Sequence, residues 1–139
     1  MTFSTGDYFY KSNLINISIV KENLIKDKSF TFAVRIVKLY KYLCDQQKEF
    51  IISKQLMRAG TAIGALYREA EHAESKADFI HKLAIAQKEA NETMYWLELL
   101  EATHYITQNQ FGNIYEDALE LFKLITKSIK TAKQNSTSS

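Results

Sequence analysis

The chain of 139 residues contains no proline and only four glycines. Proline breaks a helix interior, and glycine costs about 1 kcal/mol there relative to alanine. Long stretches free of both permit long helices, and the apolar spacing asks for four of them. The first spans about Asp27 to Gln47, with Phe32, Ile36, Leu39 and Leu43 on one stripe and Phe30, Val34, Val37 and Cys44 on a second. Two stripes predict burial wider than a single bundle seam needs. The second spans about Ile52 to Ala73, with Leu56, Ala59, Ile63 and Ala70 at core spacing. The third opens at the capping box Ser75–Asp78 and runs to about Tyr105, with Ile80, Leu83, Ala90, Met94 and Leu97 inward. "TQNQ" at residues 107–110 caps the fourth, which carries Phe111, Ile114, Leu121, Leu124, Ile125 and Ile129 before fraying into "KQNSTSS". Short loops make neighbours antiparallel. The expectation is therefore all-α: an up-and-down four-helix bundle over residues 23–134, a flexible N-terminal extension over 1–22 and a disordered tail over 135–139.

Two glycines, Gly60 and Gly64, stand one turn apart inside the second helix. In a membrane G-x-x-x-G brings helices together. Lys54, Arg58 and Arg68 around it exclude that setting. Ala59, Gly60, Ala62, Gly64 and Ala65 instead make a smooth surface, and close approach of a neighbouring helix offsets the glycine cost through dispersion contacts. Gly60 and Gly64 are thus assigned to close helix packing, within the chain or between subunits.

The residue types for catalysis are thin. Glu69-x-x-His72 and Glu101-x-x-His104 have the i, i+3 spacing of di-iron bundles, but antiparallel helices put them at opposite ends. Asp78-x-x-His81 lies nearer the first pair, yet the fourth helix offers lysines at that level. Cys44 falls on an apolar stripe, and a lone cysteine forms no internal disulfide, which fits a reducing, cytoplasmic setting. "GTAIG" lacks the Lys-Ser/Thr of a phosphate loop. The expectation is no enzyme, no cofactor, no metal site and no catalytic residue. No apolar run reaches 18 residues, and no signal peptide or membrane span is expected.

Charge is more informative. Net charge is only +2, but residues 21–68 carry ten Lys/Arg against four Asp/Glu, residues 69–122 carry three against eleven, and residues 123–139 carry four lysines and no acid. Arg35, Lys38, Lys41 and Lys48 line the first helix; Lys54, Arg58 and Arg68 line the second. Arg35, Lys38, Lys41, Lys54, Arg58 and Arg68 are candidate contacts to phosphates of RNA or DNA, read without sequence preference. The alternative is that these cations pair with the acidic third helix across a helix or subunit interface. Tyr95 and Trp96, in the aromatic run "YWLELL", are candidate oligomer contacts.

These segments carry a resemblance. "KSFTFAVRIVKLYKYL" and "SKQLMRAGTAIGALYREAEHAESKADFIHKLAIAQKEANETMYWLELL" resemble the bacterial four-helix bundle proteins encoded in intervening sequences of 23S rRNA genes, the S23 ribosomal protein type, over about residues 23–130. "RAGTAIG", "REA", "DFIHK" and the run from Tyr95 to Leu100 carry most of it. Family members commonly show "GTSIGAN" where this chain has "GTAIGAL", so Ala62 and Leu66 replace two polar groups. The resemblance implies an antiparallel bundle assembled as a homopentamer. A related branch, the accessory variability proteins of diversity-generating retroelements, implies nucleic acid and a reverse transcriptase as partners. The resulting expectation is a non-enzymatic homo-oligomeric scaffold that touches RNA or DNA, with an oligomeric protein-interaction module lacking nucleic-acid affinity as the alternative.

Overall fold

The computed structural model describes the backbone of residues 5–136 and the side chains of residues 24–135. Four helices account for nearly all of it: α1 Thr5–Asp45, α2 Ile52–Glu71, α3 Lys76–Ala102 and α4 Gln108–Ser136. They pack in sequence order, α1 on α2, α2 on α3 and α3 on α4, and α4 returns to α1. Among the described residues there is no strand.

Several helix boundaries have a chemical cause. Ser75 sits extended before α3 and its Oγ accepts the Asp78 N–H at 3.0 Å. Thr107 and Gln110 form the reciprocal box before α4: the Gln110 N–H donates to Thr107 Oγ1 at 3.2 Å, and the Thr107 N–H donates to Gln110 Oε1 at 2.9 Å. α1 and α3 end in the left-handed region without glycine, at Lys48 (φ 54°) and near His104 (φ 67°). After α3 the Tyr105 N–H reaches back to the Leu100 carbonyl at 2.9 Å, the long bond of a Schellman closure, and after α1 the Glu49 N–H reaches one residue farther, to the Leu43 carbonyl at 2.9 Å.

Three boundaries differ most from the sequence reading, while α1 and α2 each end two residues earlier than expected. α1 begins at Thr5, not near Asp27, and passes unbroken through the segment expected as an extension. Those residues contain no proline, and a helix already nucleated needs no apolar stripe to propagate. Residues 1–4, and all side chains before Leu24, lie outside the described residues. α4 continues to Ser136 instead of fraying from Lys133; residues 137–139 of the expected tail also lie outside. α3 ends at Ala102, before Tyr105, because His104 turns left-handed.

The core forms one contiguous cluster: Phe32, Ile36 and Leu43 from α1, Leu56, Ile63 and Tyr67 from α2, Leu83, Leu97 and Leu100 from α3, Leu121 and Ile125 from α4. The stripe Phe32, Ile36, Leu39 and Leu43 therefore faces inward. The second stripe corrects the expectation of wide burial: Phe30 is 59% exposed and Val34 38%. At 100° per residue, Phe30, Val34, Lys38 and Lys41 share an arc of about 80° opposite the buried stripe of α1.

Both glycines meet α1. A Cβ on Gly60 would lie 2.8 Å from Ile36 Cγ1 and 3.0 Å from its Cγ2 and Cδ1. A Cβ on Gly64 would lie 3.2 Å from Ser29 Oγ. Ser29 is buried and its hydroxyl donates to the Lys26 carbonyl at 3.1 Å, so the small side chain on α1 is satisfied locally while facing the bare backbone of α2. Close packing assigned to Gly60 and Gly64 is thus a contact inside the chain.

Candidate nucleic-acid interface

The six candidate cations do not form one set. In α2, Lys54, Arg58 and Arg68 fall within about 80° of each other, opposite the buried stripe of Leu56, Ala59, Ile63 and Ala70. Arg58 leans to α3. Its Nη1 donates to Glu89 Oε1 and Oε2 at 3.2 and 3.1 Å, and its Nη2 donates to Glu92. The Trp96 indole N–H donates to the same Glu92 oxygen at 3.1 Å. The Arg58 guanidinium holds the Glu92 carboxyl below the usual carboxylate range; partial burial opposes this and the Trp96 N–H assists. Arg68 lies over the Phe30 ring, 5.9 Å from its centroid, a cation–π distance. On α1, Arg35 turns towards α4 and pairs with Asp117.

Arg35 and Arg58 therefore already have carboxylate partners, as the alternative reading of the charge pattern anticipated for the second helix. Lys38, Lys41 and Lys54 are exposed and make no ion pair among the described residues. Lys41 and Lys54 stand at the same end of the bundle. Cys44 Sγ and Ser53 Oγ are 3.8 Å apart, which sets that end of α1 beside the start of α2.

Sequence reasoning missed what joins these helices. No Ser, Thr, Asp or Asn precedes α2, and Ile51 at its boundary supplies no side-chain cap. Glu49 does the work from farther upstream. Its carboxylate accepts the N–H groups of Ile51 at 3.0 Å, Ile52 at 2.8 Å and Ser53 at 2.6 Å, and the Ser53 hydroxyl donates to the Glu49 carbonyl at 2.8 Å. Burial pushes the Glu49 carboxyl up, but the three backbone donors more than reverse it, and the group titrates below its ordinary value. An acid just ahead of a helix N-terminus was the available signal, since the dipole and the free N–H groups favour an anion there. Between these tied residues, Phe50 is 58% and Ile51 80% exposed.

Tyr95 stands outward on α3, 54% exposed, and meets Trp96 edge to face at 4.9 Å. Trp96 is half-buried against the core. The Glu-x-x-His pairs lie at opposite ends of antiparallel α2 and α3, and no three His, Cys, Asp or Glu side chains converge among the described residues. No helix is long and apolar enough to cross a membrane, among the described residues.

A family model described as 23S rRNA-intervening sequence protein matches residues 21–127. A solved structure from Bacteroides thetaiotaomicron, described as a protein with unknown function from the S23 ribosomal protein family, is similar to the chain at 61% identity and a TM-score of 0.79. That likeness covers 79% of this chain and 98% of the other. No curated protein matches the chain. The four-helix architecture, the stretch from α1 to α4 that the family model spans and the likeness to an S23-type structure agree: the chain belongs to the 23S rRNA-intervening sequence protein family.

Proposed function

We propose that this protein is a non-enzymatic, homo-oligomeric helical scaffold whose basic face contacts RNA or DNA without reading base sequence. The observation that carries the reading is the sorting of its cations. Arg35 and Arg58 are paired internally, while Lys38, Lys41 and Lys54 remain exposed on adjoining outer faces of α1 and α2. Each phosphate contact is weak alone. Repetition around an assembly raises avidity without new chemistry. A link to 23S rRNA genes in the family's description is consistent with a nucleic-acid setting, although it speaks of gene location and not of binding.

Self-association rests on the outward apolar residues. Phe30 and Val34 on α1, and Tyr95 on α3, are large side chains on helix faces that a monomer gains nothing by exposing. A pentamer is the state the family resemblance implies, and Tyr95 and Trp96 are candidate contacts in it. The cytoplasm is the proposed compartment.

Sedimentation equilibrium gives the mass of the particle, and filter retention of labelled RNA at about 50 and 200 mM salt tests the rest. The expected outcome is a multimer that retains RNA at the lower salt and loses it steeply at the higher. A multimer with no retention at the lower salt leaves the protein-interaction module as the better description. A monomer overturns the scaffold.

A further inference from the structure

The α1–α2 end of the bundle combines features that neither helix face has alone. Phe50 and Ile51 are the two large apolar side chains of the turn, and both face solvent. They are not held there by looseness. Lys48 closes α1 in the left-handed region, the Glu49 N–H is bonded to Leu43, and the Glu49 carboxylate binds the N–H groups of Ile51, Ile52 and Ser53. Ser53 is fully buried. The turn is therefore fixed on both sides of Phe50, and fixed in a form that presents its ring. A preorganised apolar group loses little conformational freedom on binding.

The surroundings of that ring select the partner. Lys48 precedes Phe50 by two residues and Lys54 follows Ile51 by three; all are exposed. Lys41 and Lys38 continue the cationic line up the outer face of α1. Two acids occur between Lys38 and Lys54. Glu49 is turned inward onto backbone donors, which leaves Asp45 as the exposed one against Lys38, Lys41, Lys48 and Lys54. Flexible cations suit phosphates as point charges. An exposed aromatic ring flanked in sequence by Lys48 and Lys54 suits an unstacked base, which a duplex does not offer without being opened.

We infer that the Lys48–Lys54 turn is a binding site for single-stranded nucleic acid, with the Phe50 ring stacking on a base while Lys41, Lys48 and Lys54 hold the flanking phosphates. This deepens the reading proposed above and depends on its polyanion contact. It adds a preference for single strands and locates the site.

Fluorescence anisotropy of the full chain with a labelled 20-nucleotide uridine strand, and with an RNA duplex of the same length, tests it at low salt. The expected result is tighter binding of the single strand. Phe50→Ala weakens that binding about 5- to 100-fold, the range of base–aromatic stacking, and leaves duplex binding unchanged. Phe50→Trp retains the affinity, whereas Phe50→Leu, apolar but without a π-face, behaves like Phe50→Ala. Equal binding of strand and duplex, or a Phe50→Leu variant as tight as the parent, overturns the site while leaving the polyanion reading standing. No binding of either probe by the parent chain refutes both. A Phe50→Ala variant with a smaller particle mass makes the turn a subunit contact and overturns the inference. Loss of binding to phosphatidylserine vesicles in that variant, with RNA binding intact, assigns the turn to a membrane surface and overturns it also.

Discussion

Helix α2 is held on its two sides by different physics. Against α1 it presents mainly backbone: Gly60 beside Ile36 and Gly64 beside Ser29, a close seam set by shape, with the exposed Lys26–Glu71 pair and Arg68 over Phe30 at its margin. Against α3 it presents charge: Arg58 between Glu89 and Glu92, and Glu69 at 3.7 Å from Lys82, all at least partly in water. A shape-set seam fails when an atom is added and is indifferent to salt. A charge-set seam tolerates changes of volume and weakens with salt, because exposed pairs contribute only about 0–1 kcal/mol each. One helix therefore takes its distance from α1 and part of its lateral register from α3, and the two demands can be broken separately.

The largest break is steric. Gly60→Leu inserts a side chain where even a Cβ would sit 2.8 Å from Ile36, a β-branched neighbour with little rotamer freedom. Overpacking of this kind costs about 1–3 kcal/mol, and the 2.8 Å approach to a stiff side chain puts Gly60 at the upper end, above the roughly 1 kcal/mol that leucine gains in helix propensity. Gly60→Leu is expected to lower the unfolding free energy by about 1–2 kcal/mol net in urea titrations, and Gly64→Leu by less. Gly112, in α4, has no atom within 4 Å of its would-be Cβ. There Gly112→Ala is expected to raise stability by about 1 kcal/mol, since only propensity acts. A Gly60 variant that also rises refutes the seam.

A smaller break goes through the one charge buried at the α1–α2 junction. Glu49 caps α2 as a carboxylate, and its folded-state titration lies below its ordinary value of 4.5 because three N–H groups favour the anion despite burial. Its stabilisation is therefore full above that ordinary value and is lost as the pH falls through the lower, folded-state value. Glu49→Gln keeps the shape but turns part of the acceptor into a donor facing other donors. The expected cost at pH 7 is about 1–2 kcal/mol. The gap between parent and variant should narrow as pH falls below 4.5, read by parallel urea titrations. A gap constant with pH would mean that the carboxylate charge contributes nothing.

What the sequence disclosed follows the same division. The inward stripes of α2 and α4, the capping boxes at Ser75 and Thr107 and the close approach at Gly60 are local patterns, and periodicity or spacing carries them. The outward turn of Phe30 and Val34 was not legible, because two apolar stripes on one helix look alike until the partners' positions choose between them. The basic candidates Arg35 and Arg58 were sorted from Lys38, Lys41 and Lys54 by residues 82 and 31 to 34 positions away. No local signal encodes such pairs. The Glu49 cap was missed because it reaches α2 from outside the usual cap position, and the early start of α1 because its first residues lack a stripe.

The smallest break isolates the charged seam. Arg58 is half exposed, and its pair with Glu92 is screened by solvent, so a double-mutant cycle is needed to see it above the cost of each substitution alone. Arg58→Met keeps much of the aliphatic length, and Glu92→Gln keeps an acceptor for the Trp96 indole. The coupling between the two is expected to be about 0.5 kcal/mol at low ionic strength. At 1 M salt the screening length falls to about 3 Å, and the coupling should fall towards zero. The effect of Gly60→Leu should not follow it down, because neither overpacking nor propensity carries charge. Trp96 adds a local readout. It is the chain's single tryptophan, and its N–H donates to Glu92 Oε1, so its emission is sensitive to the loss of that partner. Glu92→Ala, which removes that acceptor, should shift the emission, while Gly112→Ala should leave it unchanged. A coupling that persists undiminished at 1 M salt would show that Arg58 acts by packing its alkyl stem on α3, and both sides of α2 would then be set by shape.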